Sequence, residues 1–446
     1  MLNIGDDNMN FKIFDEKVCA CGKYHTADLK NVVSGKGALL SLPGEVKALG
    51  ATKVFIMADT NTDCVAGQSV RKLLEENNIP YSEYIFNKER IVPDEHSVGS
   101  AIMHFDKECD CLVTIGSGVL NDIGKILSST AKIPYIIVGT APSMDGYASD
   151  SSSMERDGVK ISLSSKCPDV IIGDTDILKT APDRMLIAGL GDMLAKYISV
   201  CEWRISHEIN NEYYCEKVAE LVRTSLKKCV SDPEGLLKRE DEAIQNVFEG
   251  LVMSGLTMKF AGVSRPASGV EHYFSHVWDM RALAKGTAVD LHGIQCAIGT
   301  LYALRLYERL SDTIPDKSAA LESVKNFDYE KWCETLREFF GRGAQSLIDL
   351  EAKEGKFDAE KHSARLETII EKWDVIFDII KKELPSSEEI KNLMESLNMP
   401  LSCGEIGIDD GTLGTSFKAT KDIRNKYILS HLAWDLGLLD FLCEIL

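Results

Sequence analysis

No apolar run in this chain approaches the ~18 to 20 residues that a membrane span needs, although 44% of its 446 residues are hydrophobic. No membrane partner is therefore expected. The opening residues, MLNIGDDNMNFKIFDEK, lack a basic stretch followed by an apolar core, so no secretory signal is read there and the expected compartment is the cytoplasm. Positive charge is scarce: 50 Lys and Arg stand against 69 Asp and Glu, a formal net charge of -19. A chain this acidic gains nothing electrostatically from a polyphosphate, which argues against nucleic acid as a partner. An anionic small molecule would need local cations to overcome that field. The sequence contains neither an internal repeat nor a low-complexity segment.

Cysteine is not scarce, but its thirteen copies are odd in number and scattered, which excludes a disulfide framework. Most read as buried small hydrophobes. Cys19, Cys21 and His25 are closer together, in C-A-C-G-K-Y-H. They offer three donors, one short of a closed zinc site, and read as a structural hairpin.

The length suggests about two domains. Up to about residue 180, short β-rich runs alternate with helical stretches. Lys53–Ala58, Cys111–Ile115 and Pro134–Val138 read as buried strands; Gln68–Glu76 and Asn121–Thr130 read as helices. Strand, helix, strand in this order implies right-handed crossovers and a parallel sheet. Ligands of such sheets gather at the carboxyl ends of the strands. From about residue 181 amphipathic segments dominate, among them Ala188–Ile209, Glu212–Cys229, Glu240–Lys259 and Leu291–Leu310, and they read as a helical domain. The expected division is an α/β dinucleotide-binding domain over 1–180 and an α-helical metal-binding domain over 181–446, with a helical extension at its end.

Gly116-Ser117-Gly118 follows a buried strand and precedes a helix. Glycines let backbone approach an anion, and the helix N-terminus supplies N–H groups and the positive end of a dipole. The run G-S-G-V-L-N-D-I-G is not the G-x-G-x-x-G fingerprint, and a tight turn without a ligand fits it equally. Asp59 also ends a strand, where a carboxylate accepts bonds from a ribose, a lean toward the unphosphorylated cofactor. An N-cap for Asp59-Thr60-Asn61-Thr62 fits equally. Together with Gly139-Thr140-Ala141-Pro142-Ser143 at a third strand end, these residues favour a dinucleotide. The polar loop Ser143–Ser149 then reads as ligand-facing.

The chain has nine His, and three lie between Ser264 and Gly293. His272 and His276 are four residues apart, on one face of a helix, and His292 follows twenty residues after His272. A divalent metal on two imidazoles is well served by a charge-balancing oxygen ligand, with an open position for substrate. Asp192, His272 and His292 are the ligands chosen, although Asp192 alone, after glycines, also reads as an N-cap. His276 faces either metal or substrate. His207, His362 and His431 read as satisfied core residues.

GSGVLNDIGK, GTAPSMDGYAS, GLGDMLAKY, SRPASGVEHYFSH and DLHG, in this order over about residues 30–310, resemble the sn-glycerol-1-phosphate dehydrogenase family, of the dehydroquinate synthase-like and iron-containing alcohol dehydrogenase superfamily. The resemblance implies a Rossmann-like parallel-sheet nucleotide domain, an all-helical C-terminal domain and an active site in the cleft between them. It implies that Gly116, Ser117, Gly118, Val119 and Leu120 hold the cofactor pyrophosphate. Thr140, Ala141, Pro142 and Ser143 would line the nicotinamide side, and Ser149 would also bind cofactor. Asp145 and His276 would meet substrate as catalytic residues. Asp192, His272 and His292 would ligate the metal, with Asp192 also near substrate. The activity implied is reversible reduction of dihydroxyacetone phosphate to sn-glycerol 1-phosphate by NAD(H) or NADP(H), in a homo-oligomer. Zinc suits the ligand set, and nickel and iron(II) bind similar ones. A polyol dehydrogenase and a dehydroquinate synthase-like lyase are the rival activities. Arg265 and Lys160 are candidates for the substrate phosphate by position only, and a surface role fits Lys160 at least as well. The motifs are silent on the tail beyond about residue 330.

Overall fold

The computed structural model describes residues 18–88, 90–156, 159–355 and 357–446. The first seventeen residues, where no secretory signal is read, lie outside them. Among the described residues no helix is long and apolar enough to cross a membrane.

The chain divides into two compact units. One comprises residues 1–193 and 220–263, the other 194–219 and 264–446. The single boundary expected at 180/181 is therefore replaced by an interleaved one. The cause is the helix Asp241–Ala261, which is apolar around most of its circumference and packs with the sheet unit. A Cβ on Gly173 would lie 2.0 Å from the Phe248 ring, so glycine there is what admits this helix against the sheet.

The sheet unit is built on strands β1 (Asn31–Gly35), β2 (Val54–Asp59), β3 (Tyr81–Phe86), β4 (Cys111–Gly116), β5 (Tyr135–Gly139) and β8 (Val170–Asp174). They are all parallel, in the order β1-β8-β5-β4-β2-β3. The inner strands VFIMAD, CLVTIG, YIIVG and VIIGD are almost wholly buried, as strands covered on both faces must be. β1, at an edge, alternates instead. The three strands read from sequence are β2, β4 and β5, each within a residue or two of the expected bounds. β1, β3 and β8 complete the sheet. β6 (Ser151–Arg156) and β7 (Val159–Ser164) form a separate antiparallel ribbon.

The chain moves outward from β2 to β3, then returns to place β4 on the other side of β2. This reversal is the position at which open α/β sheets bind ligands, at the carboxyl ends of the strands. Asp59 and Gly116 are those two ends.

The second unit is helical throughout its described residues. The expected helix Ala188–Ile209 is two helices, Asp183–Leu194 and Lys196–Asn210, with Ala195 between them. His292–Ser311 is buried along nearly its whole circumference and forms the centre of the helical unit. The tail is part of this core. Phe274 stacks on Phe417 at 6.0 Å between ring centroids. The Cys403 N–H donates to the Tyr302 hydroxyl at 3.0 Å, and Arg365 grips buried Asp435 through two bonds of 2.8 Å.

One contact in the sheet unit links fold to site. A Cβ on Gly189 would lie 1.8 Å from the Pro142 carbonyl oxygen, so only glycine lets the helix Asp183–Leu194 touch the chain leaving β5. Gly189→Ala is expected to cost about 1–3 kcal/mol, the range for overpacking a filled site, measured by denaturant unfolding against wild type. A loss below 0.5 kcal/mol, within the range of neutral surface changes, would show that the contact yields.

Candidate active site

The carboxyl end of the sheet is assembled from short-range chemistry. β2 ends at Asp59, whose Oδ1 accepts the Thr62 N–H at 2.7 Å while the Thr62 hydroxyl accepts the Asp59 N–H at 3.0 Å. This is a capping box, so Asp59 is an N-cap, and the cap uses one of its two carboxylate oxygens. β4 ends at Gly116, and Gly118 opens the helix Gly118–Ala131. Ser117 makes no side-chain capping bond. The first N–H groups of this helix, at Gly118, Val119 and Leu120, have no intrahelical acceptor, which suits an anion. A Cβ on Gly116 would fall 2.6 Å from the Leu120 side chain, so glycine is required for the turn. The Gly116 carbonyl accepts the Thr140 N–H at 3.1 Å and ties the end of β5 beside it.

Beyond β5, Thr140, Ala141 and Ser143 are buried, and the Ser143 N–H closes on the Ala141 carbonyl at 3.0 Å. Asp145–Ala148 is a single turn of 3-10 helix. The Asp145 N–H donates to Asp192 Oδ2 at 3.0 Å, and Asp145 Oδ2 accepts the Ser254 hydroxyl at 2.9 Å. Asp192 is fully buried, two residues from the C-terminal end of the helix Asp183–Leu194. It is not an N-cap. Burying a carboxylate is costly unless it is bonded or coordinates a cation, which fits the ligand role expected of it.

In the helical unit, His272 on Val270–Lys285 and His292 at the head of His292–Ser311 come together with ring centroids 5.0 Å apart. The two helices close on each other because residue 299 is glycine: a Cβ there would lie 2.6 Å from the Glu271 carbonyl oxygen. Each imidazole is held through Nδ1. His272 Nδ1 lies 2.9 Å from Glu271 Oε1, and His292 Nδ1 lies 2.9 Å from the Ser275 hydroxyl. Such second-shell bonds fix the tautomer of metal-binding histidines and leave Nε2 as the coordinating nitrogen. Cys296 Sγ stands 3.5 Å from His292 Nε2, and the donor atoms of His272, His292 and Cys296 all lie within 4.8 Å of one another. Burial pushes the Cys296 thiol up, but the two imidazoles outweigh it and its pKa falls below the ordinary thiol value. His276, one turn along from His272, is half-buried with its ring 6.0 Å from that of His292.

The model of the iron-containing alcohol dehydrogenases matches residues 33–182. A protein of Halalkalibacterium halodurans named glycerol-1-phosphate dehydrogenase, NAD(P)+, is 29% identical over 417 residues, 93% of this chain and 94% of that one. Its namesake in Pyrococcus horikoshii is 35% identical over 290 residues, 64% of this chain and 82% of that one. The chain belongs to the glycerol-1-phosphate dehydrogenase family. The fold is shared more widely: glycerol dehydrogenase from Schizosaccharomyces pombe superposes with a TM-score of 0.61 at 18% identity, over 94% of this chain and 90% of that one.

The two phosphate candidates of this family member take different places in the structure. Arg265 is buried, and its guanidinium donates to Glu212 Oε1 at 2.7 Å, to Glu212 Oε2, to the Tyr427 carbonyl at 2.7 Å and to the Ser206 hydroxyl at 3.2 Å. It braces the helical core, and those bonds occupy its donor fork. Lys160 lies on the exposed ribbon strand β7. His362 and His431 are buried as expected, whereas His207 is exposed, with Nδ1 2.7 Å from the Glu212 carbonyl.

Three residues carry more than their sequence positions suggest. Glu271 is fully buried and accepts the Gly269 N–H at 2.7 Å as well as facing His272. Glu202 accepts N–H groups from Val270 and Leu429, and burial, with the Glu271 carboxylate adding to it, holds its pKa well above the usual carboxylate range. Lys125, inside G-S-G-V-L-N-D-I-G-K, has a fully buried ammonium that donates to the Gly146 carbonyl at 2.6 Å, the Ser149 hydroxyl at 2.9 Å and the Ser151 carbonyl at 3.1 Å. Ser149 is thereby used to brace the loop.

Lys125→Met keeps the length of the side chain and removes these charge-assisted bonds, worth roughly 1.5–3 kcal/mol each, and leaves the Gly146 and Ser151 carbonyls only their neutral donors, Asn121 Nδ2 at 3.1 Å and the Ser149 hydroxyl at 3.0 Å. Amide hydrogen exchange over residues 145–151 is expected to speed up at least 10-fold. Unchanged protection there would mean that the loop is held without this ammonium.

Proposed function

We propose that this chain catalyses the reversible reduction of dihydroxyacetone phosphate to sn-glycerol 1-phosphate, with NADH or NADPH as the hydride donor and one divalent metal bound by Asp192, His272 and His292. What carries the proposal is the pair His272 and His292, each imidazole oriented by an Nδ1 partner for coordination through Nε2. Membership of the family supplies the reaction and the nicotinamide cofactor. Zinc suits a site of two imidazoles and a carboxylate; nickel and iron(II) bind the same set. Bound by these residues, the metal would supply Lewis-acid polarisation of the substrate carbonyl, and the nicotinamide would supply the hydride.

This chain's own residues do the rest. The N-terminus of the helix Gly118–Ala131 receives the pyrophosphate, Asp59 offers its second carboxylate oxygen to the ribose, Thr140–Ser143 line the nicotinamide side, and Ser149 is a further cofactor contact. Asp145, with its carboxylate held by Ser254, orients the substrate hydroxyl. His276 donates a proton to the developing alkoxide from its imidazolium, a task suited to histidine near neutral pH.

The substrate phosphate falls to Arg424 and Lys426. Lys426 Nζ donates to the carbonyls of Ser264 and Ser268 at 3.1 and 3.0 Å and lies 5.8 Å from the centroid of the Tyr273 ring, beside His272 in sequence. Burial above all, then the charges of Arg265 and Arg424, lower its pKa to about 7, against the opposing pull of Glu271 and Glu212. A dianionic phosphate would relieve that crowding of positive charge.

The metal-loaded enzyme is expected to oxidise NADH or NADPH with dihydroxyacetone phosphate, far faster than with dihydroxyacetone, and to yield the sn-1 phosphate by chiral analysis. No net cofactor oxidation, or equal rates with both ketones, would sink the proposal. His292→Ala is expected to lose both metal and activity by more than the ~10- to 100-fold typical of outer-shell changes. Glu271→Gln, in that outer shell, should weaken metal binding within that range.

Because the folded pKa of Lys426 is lowered, the group is charged below about 7 and neutral above it. The KM for dihydroxyacetone phosphate should therefore rise with pH above that point, by up to ~10-fold per unit. Lys426→Met should abolish this pH dependence and raise KM at pH 6, with dihydroxyacetone turnover unchanged. A pH profile identical to wild type would remove Lys426 from the phosphate site.

A further inference from the structure

The segment Cys19–His25, read from sequence as a hairpin, folds into a turn that points its donors inward. The Cys19 N–H donates to the Lys23 carbonyl at 2.9 Å, and the Gly22 N–H donates to the Cys19 carbonyl at 2.8 Å. Gly22 adopts φ 84, a left-handed conformation that glycine takes without cost. The donor atoms of Cys19, Cys21 and His25 all lie within 4.8 Å of one another. Cys21 Sγ stands 3.3 Å from His25 Nε2. Ligands at ordinary zinc–sulfur and zinc–nitrogen distances in a tetrahedron are separated by ~3.5 Å.

The second observation is the orientation of His25. Its Nδ1 lies 2.7 Å from the Phe260 carbonyl, and the ring packs edge-on against Phe260 at 6.4 Å. A backbone carbonyl on Nδ1 fixes the tautomer that presents an Nε2 lone pair, the outer-shell arrangement of metal-bound histidine. Lys23 Nζ reaches the next carbonyl, Ala261, at 3.4 Å, so the turn grips the end of the helix Asp241–Ala261 at two points. Cys19 and His25 are buried. None of these groups belongs to the catalytic machinery proposed above.

We propose that Cys19, Cys21 and His25 bind a structural zinc ion. A structural site takes four donors, and two thiolates with one imidazole supply three of them from a single turn, a set characteristic of zinc. Each thiol loses its proton to solvent as the metal enters, and no electron is transferred. The ion fastens the start of the described chain in place and takes no part in hydride transfer.

The test is metal counting on the full-length enzyme. Wild type is expected to hold two metal equivalents per chain. Treatment with EDTA should strip the catalytic metal and abolish activity, and leave one zinc per chain, released on titration with an organomercurial. Cys19→Ser and Cys21→Ser should each lose that zinc alone, and His292→Ala the other metal alone. Should these variants fail to fold, cobalt substitution of the Cys296→Ala chain keeps the question open to measurement. The buried site should then give an intense thiolate-to-cobalt charge-transfer band in the near ultraviolet, which His292→Ala does not remove. A single metal equivalent in wild type, lost with His292→Ala, would overturn the proposal. So would absence of the charge-transfer band, or an intact mass two hydrogens light, which would mean a disulfide.

Discussion

The helical unit depends on one close approach. Helices Val270–Lys285 and His292–Ser311 meet where Gly299 faces the backbone of Glu271, and the missing side chain sets their spacing. That spacing brings His272 and His292 edge to face. It also buries Glu271, whose carboxylate must then be bonded, since an ionised group out of water is expensive. Its Oε1 accepts the Gly269 N–H and faces His272 Nδ1, which fixes the imidazole, while Oε2 is buried without a hydrogen-bond partner among the described residues. A packing constraint thus becomes an electrostatic one, and that in turn becomes ligand geometry. Glu202, pressed close to the same loop, has its pKa raised by burial and by the Glu271 carboxylate, while its oxygens accept from Val270, Leu429 and Tyr307.

The sheet unit solves a similar problem with a cation. The loop after β5 has to present Asp145 and still bury the polar backbone of residues 146–151. Lys125 supplies the donors, reaching two carbonyls and one hydroxyl from the helix that begins at Gly118. The helix whose N-terminus faces the strand ends therefore also supports the neighbouring loop, and shifting one would shift the other. Gly189 and Gly255 complete the support: a Cβ on either would strike the Pro142 or the Asp145 carbonyl oxygen. Two helices can lie this close to the loop because no side chain intervenes.

Much of this is legible in the sequence, and the limits have physical causes. Central parallel strands are continuous apolar runs, so β2, β4 and β5 stand out, as does β8 in the structure. β3, with YSEYIF at an edge, carries too much polarity to be told from a loop. Local spacing exposes His272 and His276 on one face, but the pairing of His272 with His292 is a long-range event set by Gly299, which no periodicity announces. Cys296 was within reach, since it lies four residues after His292 on the same helix. Arg265 misleads because a lone arginine beside a histidine motif looks like a phosphate ligand. Its partner, Glu212, lies more than fifty residues earlier. The interleaved units are hidden for the same reason: the segment 220–263 is helical like the residues after it, and long-range contacts such as Phe248 packing against Gly173 and Glu249 accepting from Ser34 assign it to the sheet.

The acidic surplus of the chain gives the phosphate its own constraint. A net charge of -19 attracts a divalent cation and repels a dianionic substrate, so affinity for the phosphate has to be made locally. A surface lysine would be screened and weak. In the site proposed, Lys426 is instead half-buried beside the charges of Arg265 and Arg424 and the carbonyls of Ser264 and Ser268, where reduced solvent access would strengthen its field and also make its charge harder to hold. The two effects are one: the burial that lowers its pKa is what would make a bound phosphate worth binding. At the phosphate site proposed, an ammonium whose pKa burial lowers toward neutrality would regain its proton on meeting an anion and so couple phosphate recognition to proton uptake. An arginine at this position would stay charged throughout and remove that coupling.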